Sequence, residues 1–93
     1  MTVYLVTVES SVKADKFDYN PFFQELANSG AHRAMVDCWF VESPSSSRSL
    51  HDHLKTFILE QDRLIVSKMT QNTFFSQVGA GTNTWLNQRA IGD

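Results

Sequence analysis

The sequence predicts a small α+β sandwich in which an antiparallel sheet carries two helices on one face. Three observations carry that expectation. Thr2–Glu9, His32–Ser43 and Arg63–Met69 are rich in β-branched and aromatic residues. Two stretches between them repeat apolar residues at helical spacing. The chain has 93 residues, enough to bury one core and too few for two, so residues 1–93 are expected to form a single domain.

Thr2–Glu9 reads TVYLVTVE and is apolar at both parities. Val3, Leu5 and Thr7 share one face of the strand, and Tyr4, Val6 and Val8 the other. A strand apolar on both faces is covered on both faces. Charged and small polar residues over Ser10–Asp18 then read as a loop.

Asn20-Pro21 opens a helix, with Asn20 expected as N-cap and Pro21 at the first helical position. Phe22, Phe23, Leu26 and Ala27 make its apolar stripe, and Gly30 is the expected left-handed terminator. His32–Ser43 is long for one strand, and a break near Met35–Asp37 is expected to divide it in two. Pro44 stops the strand, and Ser46 is the preferred cap of a second helix. Leu50, Leu54, Phe57 and Ile58 form that helix's buried face. Arg63–Met69 is the last strand, Gly79-Ala80-Gly81 a turn, and Trp85-Leu86 a late apolar anchor.

The order is therefore βαββαβ, which right-handed crossovers fold into a ferredoxin-like sandwich. Helices can cover only one face of that sheet, yet the first and last strands are apolar on both. A second copy of the chain is the expected cover, so the pattern predicts a homodimer through the sheet.

Composition narrows the function classes. Eight Lys+Arg against ten Asp+Glu give a net charge of −2, neither a basic nucleic-acid glove nor an acidic tail. The single cysteine, Cys38, excludes an internal disulfide framework and a Cys-rich zinc site. No apolar run is long enough to span a bilayer, and the N-terminus lacks a signal peptide's basic region. The expectation is a cytoplasmic domain with no membrane partner.

Glu9, Asp15 and Asp18 cluster after the first strand. Carboxylates at a strand end, facing a symmetry mate, have the oxygen chemistry to hold Mg²⁺ or Mn²⁺. Ordinary surface acids in a solvated loop are the simpler explanation from spacing alone. His51 and His53 point about 200° apart on a helix, which is poor geometry for one ion. Cys38 has no sequence-local base and reads as a small buried hydrophobe. Gly79-Ala80-Gly81 lacks the sequel of a phosphate-binding loop. The cations Lys13, Lys16, Arg33, Arg48, Lys55, Arg63, Lys68 and Arg89 are dispersed.

Several of these strings together resemble a known family. They are Tyr4-Leu5-Val6-Thr7-Val8-Glu9, Asp18-Tyr19-Asn20 leading to Gly30, and Cys38-Trp39-Phe40-Val41. The Ser-capped helix with Leu50 and Leu54, Asp62-Arg63-Leu64-Ile65-Val66 and Trp85-Leu86 complete the set. Over nearly the whole chain this resembles the SinR-like group, stand-alone relatives of the small CRISPR-associated adaptation subunit, also described as an endoribonuclease. The resemblance implies a ferredoxin-like protomer, a two-fold dimer and nucleic acid, RNA or DNA, as partner class. It also implies a Mg²⁺ site formed by an acid at the end of the first strand with its symmetry mate, here Glu9. Glu9 stands where those relatives have Asp, and Asp37 where they tend to have Ser.

Three functions follow as expectations. The first is a dimeric, nucleic-acid-associated scaffold or binding module in defence or mobile-element biology. The second is a Mg²⁺- or Mn²⁺-dependent ribonuclease or deoxyribonuclease using Glu9 across the dimer axis, helped by Asp15 or Asp37. The third is a protein-interaction module of the toxin-partner or inhibitor type.

Overall fold

The computed structural model describes residues 1–11, 17–89 and 91. Asp15, one of the acids singled out above, lies outside these described residues, as do Lys13 and Lys16. The elements run β1 (Thr2–Glu9), α1 (Asn20–Asn28), β2 (His32–Met35), β3 (Cys38–Ser43), α2 (Ser47–Lys55), β4 (Arg63–Lys68) and α3 (Thr82–Asn87). The four strands form one antiparallel sheet in the order β2-β3-β1-β4. The fold is thus α+β, with a third short helix that the sequence pattern does not announce.

The two parities of β1 divide the molecule. Tyr4 and Val6 join Trp39 and Val41 of β3 in a core with Phe22 and Leu26 of α1 and Leu50 and Leu54 of α2. Leu64 and Val66 of β4 pack against the same cluster. Phe22 meets Trp39 edge to face, ring centroids 5.9 Å apart, a favoured aromatic geometry. The opposite parity, Val3 with Ala34, Phe40 and Met69, makes a separate core on the sheet's second face.

Local chemistry sets the element ends. Ser46 Oγ accepts the Ser49 N–H and caps α2 as expected. Asn20 is not the cap of α1 but its first residue; Asp18 Oδ1 instead accepts the Asn20 N–H. Asp18 thereby takes up one of the N–H groups that the start of a helix leaves without a carbonyl partner. Gly30 takes φ +69° beyond the end of α1, which an L side chain adopts only with strain. The long extended stretch divides at Val36-Asp37, within the expected break. Phe57 and Ile58 lie past the end of α2 yet still pack on its core.

Part of the second face is covered without a second copy. The C-terminal segment does much of that work, laying Val78, Trp85, Leu86 and Ile91 against Val3, Ala34, Phe40 and Met69. Gly79 N–H donates to Ala34 O at 2.7 Å, and Trp85 Nε1 to Gly30 O at 3.1 Å. The Arg89 guanidinium lies 3.7 Å from the Trp85 ring centroid and 3.4 Å from Glu42 Oε1. Burying apolar surface within one chain avoids the entropy cost of association, so a tail that can reach the face takes it first. Its cover stops short of one end of the sheet.

Candidate functional site at the open end of the second face

The uncovered end is where β1 and β4 carry Thr7, Glu9, Ile65 and Arg63, and where β2 turns into β3. A groove of ≈ 370 Å³ runs here, between Met35 on one side and Ile65 on the other, with Glu9 and Arg63 at its rim. Ile65 is 63% exposed and Met35 58%, two large apolar side chains lining one groove rather than scattered. Register explains the grouping: Thr7 pairs with both Cys38 and Ile65, which sets all three side chains on one face.

Glu9 occupies the last position of β1, directly opposite Arg63. Arg63 Nη1 donates to Glu9 Oε1 at 2.5 Å, and both side chains are mostly exposed. An exposed pair of this kind contributes little stability, on the order of 0–1 kcal/mol. Its importance here is chemical, because the oxygen that would face a metal already faces a guanidinium.

Asp37 lies in the β2–β3 turn, and its backbone carbonyl accepts the Val8 N–H at 3.1 Å. Asp37 lines the groove with Glu9 and also a second cavity of ≈ 370 Å³ that includes Asp18, Tyr19 and Phe23. The structure therefore brings Glu9 and Asp37 to one groove and sets Asp18 on the other side of the sheet's end. Among the described residues, no three His, Cys, Asp or Glu side chains are gathered as metal ligands would be.

Cys38 forms part of the groove's floor and is 6% exposed. Burial pushes its thiol pKa up, which favours the unreactive protonated form. The histidines of α2 separate as helical geometry requires. His51 Nδ1 meets Asp52, while His53 Nε2 meets Glu25 of α1.

Sequence reasoning overlooked Asp62. It is 5% exposed, and its carboxylate accepts Ser11 N–H and Oγ–H on one oxygen and Tyr19 O–H and Leu59 N–H on the other. Burial alone would raise its pKa, but these donors outweigh that effect and hold the carboxyl below its usual range. Asp62 ties the loop after β1 to the entry of β4 and so fixes where Glu9 and Arg63 stand. Only the motif Asp62-Arg63-Leu64 pointed at it, and spacing could not, because its donors come from far along the chain.

No protein-family model matches the chain, and no solved structure matches it. No helix among the described residues is long and apolar enough to cross a membrane.

Proposed function

We propose that the chain is a non-catalytic binding module that pairs with a second copy through the open end of its second sheet face. The observation that carries this reading is the pair of exposed apolar side chains, Ile65 and Met35, that line one groove with Glu9 and Arg63. Such a patch is self-complementary under a two-fold axis: apolar side chains meet apolar ones, and each Glu9 can exchange its Arg63 for the one on the second copy. The sheet order, read as β4-β1-β3-β2 with all neighbours antiparallel, supports a ferredoxin-like sandwich with the C-terminal segment added on the second face.

Nucleic acid enters as the dimer's partner class through the resemblance to the SinR-like group. The surface supports it less. Arg33 hydrogen-bonds to Val36 O and stacks on Trp39, and Arg48 pairs with Asp52. Lys55 caps three carbonyls and Arg89 holds the tail. Cations spent inside the fold do not form a phosphate-binding track. The metal-dependent nuclease is the second reading, favoured by one observation: Glu9 and Asp37 line the same groove.

Two measurements test this. Sedimentation equilibrium should give a dimer for the native chain and a monomer for Met35→Glu, which forces two charges into the proposed contact; a monomeric native chain removes the dimer. Incubation with labelled RNA and DNA, with Mg²⁺, Mn²⁺ or EDTA, should show no cleavage. Metal-dependent cleavage lost in Glu9→Ala would replace this reading with the nuclease.

A further inference from the structure

In the order β2-β3-β1-β4, β2 and β4 are the edges. The β2 edge is approached by the tail, through Gly79 N–H on Ala34 O. Among the described residues nothing pairs with the outer edge of β4. Its inner edge is regular, with Tyr4↔Lys68 through Glu9↔Arg63 paired without a register shift. Met69 N–H donates to Val3 O, so by the period of two Ser67, Ile65 and Arg63 turn their backbone groups toward β1. Leu64, Val66 and Lys68 turn theirs outward. The edge is straight, six residues long, without proline or bulge, and bordered by exposed Ile65.

Proteins commonly blunt such edges with terminal cations, and Arg63 and Lys68 stand at the two ends. These cations discriminate among partners. Antiparallel pairing with a second copy about Val66, the register that joins outward groups to outward groups, sets Lys68 opposite Leu64 and Arg63 opposite Met69, so neither cation meets an acid. A strand carrying acids at its ends meets both with opposite charge. Arg63 gives one nitrogen to Glu9 and stays 82% exposed, while β4 itself has no acid between Arg63 and Lys68.

We propose that the outer edge of β4 accepts an extended acidic segment of another protein as a fifth strand of the sheet. Backbone groups of Leu64, Val66 and Lys68 supply the hydrogen bonds, and Arg63, Lys68 and Ile65 set the preference. The probe is a fluorescein-labelled eight-residue peptide of Val and Thr with Glu at its second and seventh positions, the five-residue separation of Arg63 and Lys68, beside the same peptide with Lys for Glu. Fluorescence anisotropy should show binding of the acidic peptide alone, and amide exchange should slow at Leu64, Val66 and Lys68. Val66→Pro removes an outward N–H that the β1–β4 ladder does not use, and should abolish binding while circular dichroism stays native. Should that variant unfold, Lys68→Glu serves: it is exposed and should weaken the acidic peptide roughly two- to fivefold. Equal binding of both peptides, no slowing at those amides, or an oligonucleotide protecting them in the peptide's place would overturn the proposal. Because Met35→Glu leaves β4 untouched, peptide binding by that variant separates this result from failure of the dimer.

Discussion

Asp62→Ala is expected to lower the unfolding free energy by about 3–4 kcal/mol, the scale for removing one side of a buried charged hydrogen-bond network. The carboxylate has four donors, two of them the backbone N–H groups of Ser11 and Leu59. Asp62→Asn keeps the shape but turns an amide N–H₂ toward donors, so about half of that loss should remain. The pH dependence follows from the direction of the shift. A carboxyl whose folded pKa lies below its unfolded value, about 3.9, contributes stability above that pH. It loses the contribution as pH falls toward the folded pKa. Urea unfolding of the native chain should therefore be flat in this respect above about pH 5 and weaken below about pH 4, and Asp62→Asn should lose that part of the acid limb. Asp52 is also lowered, first by its hydrogen bond from His51, but it is exposed and adds little to the slope. An Asp62→Asn variant with the native acid slope would show that the network contributes nothing to folding.

The same residue shows where reading a sequence stops. What depends on neighbours in the chain was legible. The two parities of β1 became the two cores, Ser46 caps α2, the long extended stretch breaks at Val36-Asp37, and Cys38 is buried. What depends on distant partners was not. Ser11 and Asp62 are 51 residues apart, Glu9 and Arg63 54, and neither pairing leaves a periodic signal.

The helix α3 is the clearest example of the second kind. Its sequence, TNTWLN, has weak helix formers and only six residues. It forms because Trp85 is pinned to Gly30 O and the Arg89 guanidinium covers the indole. Trp85-Leu86 was recognisable as an anchor, but what it anchors to was not. The tail's share in covering the second face was hidden for the same reason: an apolar face states that it must be covered, and leaves open by what.

Gly79→Ala tests how the tail is held and carries the other large effect. A Cβ there would stand 2.8 Å from Arg33 O and 3.4 Å from Ala34 O, both backbone atoms with no rotamer to move aside. The close approach exists because Gly79 N–H reaches Ala34 O at 2.7 Å. Beyond it, Thr82 Oγ1 donates its one hydrogen to Gly79 O, so His32 Nε2 must be the donor in its 2.7 Å contact with Thr82. A methyl at Gly79 thus disturbs a chain of contacts running from β2 to α3. The expected cost is about 2–3 kcal/mol, from overpacking with lost hydrogen bonds. Gly81→Ala is the control: its φ of +85° is strained for Ala, but only His32 Cε1 lies near, at 4.0 Å, so about 1 kcal/mol is expected. In a Trp39→Phe background, Gly79→Ala should shift Trp85 emission to the red as the indole leaves Phe40 and Arg89. Displacement would also bare Val3, Phe40 and Met69, extending the open apolar strip that already holds Ile65 and Met35. Self-association of Gly79→Ala should therefore strengthen or broaden into larger species. If Trp85 emission and the unfolding midpoint both stay native, the tail is not fastened at Gly79, and the cover of the second face must rest on Trp85 and Arg89 alone.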